Sequence, residues 1–207
     1  MSNSNATPEL IEDEVDPNPF KQFAIWFLNA ENNVPVLPNA MTLATATKDG
    51  MPSARVVLLK GFDELGFVFY TNYESQKGRE LDENPVASLC FYWSQLARQV
   101  RITGKVTRTT LTESEEYFHS RPIDSQLGAW ASNQDQVISG RDVLEKRMEE
   151  LWKEYANKTV PLPPYWGGFR VAPFIIEFWQ NRESRLHDRL RYKLTPEGKW
   201  IIERLAP

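Results

Sequence analysis

The densest run of chemistry-bearing side chains in the sequence is Arg185-Leu186-His187-Asp188-Arg189. Read as a strand it alternates, placing Arg185, His187 and Arg189 on one face and Leu186, Asp188 and Leu190 on the other. Basic groups so close together repel unless an anion sits among them, so the run suits a phosphate or carboxylate; the plain alternative is a solvated edge strand. Ser75-Gln76-Lys77-Gly78 opens a short helix, where free N–H groups and the positive dipole end favour an anion and Lys77 adds a full charge, although an ordinary N-cap uses the same residues. Arg55 and Lys60 flank the apolar Val56 to Leu59, Arg98, Gln99 and Arg101 interrupt another strand, and Tyr117, Arg121 and Ser125 surround the helix break Ser120-Arg121-Pro122. Anion-capable groups scattered over several elements are how a closed pocket for a phosphorylated ligand is built.

Other chemistries find no support. His119, after Tyr117-Phe118, reads as a structural or helix-surface histidine, and Cys90, between Leu89 and Phe91, as an inert core thiol. One cysteine makes no internal disulfide, and two histidines give no zinc-type spacing, so no metal site is expected. No Ser-His-Asp order, Walker loop or G-x-G-x-x-G occurs, which removes hydrolase, nucleotidase and dinucleotide-fold readings. Trp166, Trp179 and Trp200 read as core or interface aromatics. Five acids (Glu9, Glu12, Asp13, Glu14, Asp16) and no base fall in residues 1–20, leaving the rest of the 207-residue chain nearly neutral despite a net charge of −4. A nucleic-acid footprint is therefore not expected. No apolar stretch is long enough to cross a bilayer and the polar start lacks the pattern of a secretory signal, so a cytoplasmic location is expected.

The elements that must position these groups follow from periodicity and punctuation. Residues 1–16 read as a flexible acidic arm, and residues 17–207 as a single domain. Asp16 and Pro17 open a helix with Phe20, Phe23, Ala24, Phe27 and Leu28 down one face. Strands are expected over Asn39 to Thr47, Pro52 to Phe62, Phe67 to Thr71, Val86 to Trp93 and Arg98 to Arg108, with a hairpin turn at Lys48-Asp49-Gly50 and a helix from Ser75. Thr112 and Glu115 have capping-box spacing for the next helix, Ser125 to Ala131 forms another helical piece, and Leu144, Met148, Leu151, Trp152 and Tyr155 line a third between Arg141 and Tyr155. Three further strands are expected over Gly168 to Trp179, Arg185 to Leu194 and Lys199 to Leu205. These strands in mostly hairpin connection, with four or five helices, point to an α+β, mainly β, antiparallel barrel or sandwich with helices packed outside.

Several motifs then line up in one order: Asn39-Ala40-Met41, Ser53-Ala54-Arg55 with Lys60-Gly61-Phe62, Tyr70-Thr71-Asn72, Arg98-Gln99-Val100-Arg101, Tyr117-Phe118-His119-Ser120-Arg121-Pro122, Glu177-Phe178-Trp179-Gln180, Arg185-Leu186-His187-Asp188-Arg189 and the ending Glu203-Arg204-Leu205-Ala206-Pro207. From about Pro17 to Pro207 the chain resembles the pyridoxamine/pyridoxine 5′-phosphate oxidase family. The resemblance implies a split β-barrel of Greek-key type, FMN as cofactor, and a homodimer with active sites at the subunit interface. It implies that Arg55, Val56, Val57, Leu58, Tyr70, Thr71, Gln76, Lys77, Gln99, Gln134, Asp135, Trp179 and Arg189 line the FMN site. Lys60, Tyr117, Arg121 and Ser125 would hold the substrate phosphate, with Arg185, Leu186 and His187 against the pyridine ring; Arg185 and His187 are the candidate catalytic pair.

On that resemblance the activity is oxidation of pyridoxamine or pyridoxine 5′-phosphate to pyridoxal 5′-phosphate, with hydride leaving the substrate C4′ for the flavin and dioxygen becoming peroxide. One alternative is a related FMN oxidase of phenazine biosynthesis, which shares the Ser75-Gln76-Lys77-Gly78-Arg79-Glu80 helix start. Against it stand Ser120-Arg121-Pro122, Ser125 and Gly128-Ala129-Trp130-Ala131-Ser132. Another alternative is a flavin- or pyridoxal-phosphate-binding protein without turnover. Three departures from the family pattern stand out. Gln76 takes the place of a common Arg and Asp135 that of a usual Ser, both making the FMN phosphate pocket more negative. Asn181 replaces a Gly after Trp179-Gln180, where a positive φ is expected. The arm before Pro17 also lacks the Arg- and Tyr-bearing lid segment of some members.

Overall fold

The structure is a computed structural model that describes residues 9–207. Residues 1–8 of the expected arm lie outside the described residues. The first hairpin joins β1 (Ala40–Ala46) to β2 (Pro52–Leu58) in the register Ala40↔Leu58 to Ala46↔Pro52. Its turn needs Gly50, whose φ is 85°. The expected single strand Pro52 to Phe62 is in fact two. The Leu59 N–H donates to Asn39 O on the β1 side, whereas the Lys60 N–H donates to Val68 O. The chain thus changes partner at residues 59–60, and β3 (Gly61–Asp63) pairs with β4 (Gly66–Asn72).

The remaining strands are β5 (Val86–Trp93), β6 (Arg98–Arg108), β7 (Trp166–Gln180), β8 (Asp188–Leu194) and β9 (Trp200–Arg204). The sheet order is β2-β1-β5-β6-β7-β4-β3, and β8 pairs with β7 and β9. Because β2 and β3 end opposite edges of this path yet are joined by two residues, the sheet curls into a split barrel. β7 serves three neighbours. It runs along β6, while its other edge pairs with β4 up to Val171 and with β8 from Ile175 onward. The register against β6 shifts between Thr103 and Gly104 at this hand-over, where Pro173 has no N–H to offer. A Cβ on Gly104 would lie 2.3 Å from Ala172 O, so only glycine allows the approach.

Helix α1 (Pro19–Asn33) packs its buried face against strands β3, β4, β5 and β7. Asn18 caps it by accepting from the Phe20 N–H at 2.9 Å, and proline suits the first helical position, whose N–H is unpaired anyway. Fully buried Phe23 meets Phe62, Phe67 and Phe91 with ring centroids at 4.8, 4.9 and 5.3 Å. Trp26 and Ala30 complete the buried face, and Leu28, expected there, is 60% exposed. Helices α2 (Gln76–Glu83), α3 (Leu111–Ser120), α4 (Ile123–Ala131) and α5 (Asp142–Glu154) follow. A second core joins Phe118, Leu127, Leu151, Val160 and Trp166 under α3, α4 and α5. The capping box of α3 is Thr110 with Glu113, two residues before the expected Thr112 and Glu115, because the helix starts as soon as the chain leaves β6. Trp152, placed on the buried stripe of α5 by spacing, is 43% exposed.

The described part of the acidic arm is not loose. Leu10 is 5% exposed in the main core, and the Tyr192 hydroxyl donates to Asp16 O at 2.8 Å. Among the described residues no helix is long and apolar enough to cross a membrane.

Candidate active site

Helix α2 begins where β4 ends. Ser75 Oγ accepts from the Gly78 N–H, and Gly78 packs so closely that a Cβ there would lie 2.0 Å from Tyr73 O. This close packing holds Lys77 inward at 5% exposure. Its ammonium donates to Ser75 Oγ at 3.0 Å and Thr71 Oγ1 at 3.3 Å, and makes no ion pair with a carboxylate among the described residues. Burial pushes the Lys77 pKa down; the nearby Asp135 and Glu80 oppose the shift and Arg55 adds to it. A buried cation paired only with hydroxyls beside a helix N-terminus is a seat for an anion.

Arg55 projects from β2 and donates to Ser53 Oγ at 2.6 Å and to Thr45 Oγ1, with Glu80 at 3.5 Å. Burial alone would push the Glu80 carboxyl up. Donors from Ser53, Thr45 and Gln76, with the charge of Arg55, outweigh burial and hold it below the usual carboxylate range. The Gln76 side chain also donates to Glu80, at 2.8 Å. The Gln76 backbone N–H donates to Asp135 Oδ2 at 2.7 Å, so a carboxylate of this chain takes up one of the free donors at the helix start. Asp135 has φ 69°, a left-handed conformation that Asp tolerates.

On the other side of the same space, Arg121 leaves the end of α3. Its Nη2 donates to Ser125 O at 2.7 Å, its guanidinium lies 4.7 Å from the Trp166 ring centroid, and its buried Nη1 has no hydrogen-bond partner. Burial pushes the Arg121 pKa down, and nearby Tyr117 opposes this. An unpaired buried donor costs about 1–3 kcal/mol, more when charged, which an oxyanion would recover. Lys60, at the β2–β3 corner, lies 5.7 Å from the Tyr117 ring, and Tyr117 stacks on Tyr70 at 4.0 Å.

One cavity of about 740 Å³ is lined by Arg55, Val56, Val57, Leu58, Lys60, Tyr70, Thr71, Gln76, Lys77, Tyr117, Arg121, Ser125, Gln134 and Asp135. Residues from β2, β4, α2, α3, α4 and the 132–141 loop thus converge as the sequence suggested. Ala54, Pro122 and Trp166 also line it. The sequence marks Trp166 only as a core or interface aromatic. Its approach to Arg121 and Tyr117 is a long-range contact with no spacing signal.

The other six candidates, Gln99, Trp179, Arg185, Leu186, His187 and Arg189, do not line that cavity. Gln99, Trp179 and Arg189 are cross-strand neighbours on β6, β7 and β8. The Trp179 and His187 rings lie 4.7 Å apart, and Arg189 donates to Glu177 at 3.0 Å and to Ala206 O at 2.7 Å. The expected strand face carrying Arg185, His187 and Arg189 together is corrected. β8 begins only at Asp188, and Arg185 ends a 3-10 turn, Glu183–Arg185, with Leu186 after it 70% exposed. The positive φ expected at Asn181 falls instead on Ser184 (55°) and Arg185 (61°). His119 is structural, its Nε2 3.1 Å from Val160 O, and burial pushes the Cys90 thiol up.

With fold and geometry in view, the comparisons identify the class. Residues 32–155 match the family model described as pyridoxamine 5′-phosphate oxidase, and residues 166–207 match the one described as pyridoxine 5′-phosphate oxidase C-terminal dimerisation region. The chain belongs to the pyridoxamine 5′-phosphate oxidase family. It is 59% identical over 198 residues to a pyridoxine/pyridoxamine 5′-phosphate oxidase of Nostoc punctiforme, covering 96% of this chain and 92% of that one. A protein of the same description from Paraburkholderia phytofirmans is 55% identical over 195 residues, covering 94% and 91%. Among solved structures, PhzG from Burkholderia lata in complex with tetrahydrophenazine-1-carboxylic acid matches with TM-score 0.90 and 31% identity over 97% of this chain and 99% of that one. A pyridoxamine 5′-phosphate oxidase-related, FMN-binding protein from Nostoc punctiforme shares the fold at TM-score 0.73 and 17% identity, covering 92% and 98%.

Proposed function

We propose that this chain is an FMN-dependent oxidase that converts pyridoxamine or pyridoxine 5′-phosphate to pyridoxal 5′-phosphate, reducing dioxygen to peroxide. One observation carries the reading: a single cavity holds two cationic seats on different elements, Lys77 at the start of α2 and Arg121 with Lys60, and both Lys77 and Arg121 lack an anionic partner among the described residues. Two phosphorylated molecules side by side, a flavin nucleotide and a phosphorylated pyridine, suit that arrangement. The residues present fit FMN: buried Lys77 and the α2 N-terminus take the phosphate, and Val56, Val57 and Leu58 give an apolar wall. Bound FMN would supply the two-electron redox chemistry that no side chain here provides.

This chain's own residues bind and orient. Lys60, Tyr117, Arg121 and Ser125 hold the substrate phosphate, which fixes the distance of the ring from the flavin edge. Arg185 and His187 face the ring and stabilise charge developing on it. These two lie outside the cavity lining of their own chain, and residues 166–207 match a dimerisation region, which supports a homodimer in which the second copy completes each site.

The test is direct. Purified protein is expected to be yellow, to release one FMN per chain on denaturation, and to produce peroxide when pyridoxamine 5′-phosphate is added. A colourless protein that takes up no FMN overturns the reading. The match to PhzG favours a second reading, oxidation of a reduced phenazine carboxylate. Peroxide with that substrate and none with the 5′-phosphates would select it.

A further inference from the structure

The segment ahead of α1 is tied to the loop that carries His187. Leu10 is buried in the main core, its N–H donates to Asp188 Oδ2 at 3.3 Å, and its carbonyl accepts from Arg204 Nη2 at 2.7 Å. Glu12 receives both Nε and Nη2 of Arg204 at 2.7 Å, a bidentate pair that pulls the Glu12 pKa down to about 2. Glu9 accepts from Arg182 Nη2 at 2.6 Å. Asp188 bridges the two arginines, with Arg182 Nε at 3.3 Å and Arg204 Nη1 at 3.1 Å. The chain of contacts therefore runs Glu9, Arg182, Asp188, Arg204, Glu12, with Leu10 as its plug.

Arg182 has a second role through its backbone. Its N–H donates to His187 Nδ1 at 3.2 Å, which makes Nδ1 the acceptor and leaves the ring proton of the neutral imidazole on Nε2. Between these two residues lie Ser184 and Arg185, consecutive non-glycine residues at φ 55° and 61°. Such a backbone is costly and persists only where its surroundings over-determine it. Contacts that contribute to this among the described residues include the Asn181 N–H, just past β7, to Ala97 O before β6, and those from residues 9–12.

We propose that residues 9–12 form an ionic clasp that positions the β7–β8 loop and, through the Arg182 amide, holds His187 as its Nε2–H tautomer. Glu9 and Glu12 are positioning residues: they touch neither the cavity nor the rings and act through Arg182, Asp188 and Arg204. The inference rests on the reading of Arg185 and His187 as ring-facing groups only for its effect on turnover; the tautomer is independent of it.

The experiment uses the full chain with E9Q and E12Q combined, which removes two exposed charges and leaves the Leu10 plug in place. The protein has two histidines, so the imidazole nitrogens resolve by NMR, with H119Q assigning His187 by difference. In the parent, His187 is expected to show an unprotonated Nδ1 and a protonated Nε2. In E9Q/E12Q the two nitrogens shift toward the average of exchanging tautomers, and turnover of pyridoxamine 5′-phosphate falls roughly threefold to tenfold, the range that two exposed ion pairs can put into an ordering equilibrium. FMN content and melting temperature stay near those of the parent, and E9D/E12D recovers part of the loss. Sodium chloride weakens parent turnover more than that of the variant, because the pairs are screened. His187 shifts identical in parent and variant overturn the clasp, as does a loss of FMN or stability in step with activity. A parent inactive on 5′-phosphates, with its His187 tautomer still dependent on Glu9 and Glu12, refutes the proposed function and leaves the clasp standing.

Discussion

Around Lys77 the side chains come from strands and the first turn of a helix, held by hydroxyls a few positions away, whereas around His187 the backbone leaves its strand, adopts two left-handed residues and is tied to a segment at the far end of the sequence. The first region is preorganised by local geometry and burial. The second depends on partners that only the complete fold brings near. A rigid seat therefore suits the group that stays, and an adjustable loop suits the molecule that comes and goes.

The sharpest way to break this comparison is at Lys77. Lys77→Met removes a charge-assisted hydrogen bond worth about 1.5–3 kcal/mol, so FMN affinity is expected to fall about ten- to a hundredfold in a fluorescence titration. The cofactor-free variant is expected to melt no lower than the parent, because a buried ammonium without a carboxylate partner is replaced by an apolar chain. A parallel loss of stability would mean that Lys77 is a structural cation.

Arg185→Leu probes the other region. It is expected to lower kcat/KM for the 5′-phosphate substrate by about tenfold or more while the protein stays folded and yellow. Arg189→Leu leaves the buried Glu177 with Arg101 alone and is expected to lower FMN occupancy and stability together. Equal flavin loss in both variants would erase the distinction between the two regions.

A smaller effect is expected from Asp135→Ser. It frees the Gln76 N–H and removes a negative charge from the anion seat, so FMN binding is expected to tighten about tenfold. Gln76→Arg is expected to gain less, since the side chain at 76 already turns to Glu80. Titration showing no change in Asp135→Ser would mean that its carboxylate swings clear of the seat at no cost.

The smallest expected effect is on pH dependence. Burial lowers the Lys77 pKa in the fold, so the cofactor-free protein is penalised by the charged form below that value, and the penalty fades as pH rises toward the ordinary 10.5. A bound phosphate favours the charged form. FMN affinity is therefore expected to hold near neutrality and to fall, by a factor of a few, as pH passes upward through the lowered pKa. Lys77→Arg should bind FMN without that decline.

What could be read from the sequence follows the same division. The α2 seat was legible because Ser75, Lys77 and Gly78 carry cap, charge and close packing within four positions. The split of Pro52 to Phe62 was not, since both halves are good strands and the change at Lys60 depends on Val68 across the barrel. Alternation along Arg185 to Arg189 misled because nothing in Ser184 or Arg185 announces a positive φ. The arm read as loose because Leu10, the one deeply buried side chain among its described residues, is surrounded by acids whose partners lie far along the chain.

The clasp also sets an order of events. Glu12 and Arg204 are 192 positions apart, so their pairing closes a loop that spans nearly the whole chain. Contacts of such separation carry a large closure entropy and come late in folding. The cavity walls, from Ala54 to Trp166, have all been synthesised before β9 exists. On the proposed clasp, a nascent chain is expected to assemble its anion seat before His187 is fixed, with the loop set when the last strand arrives.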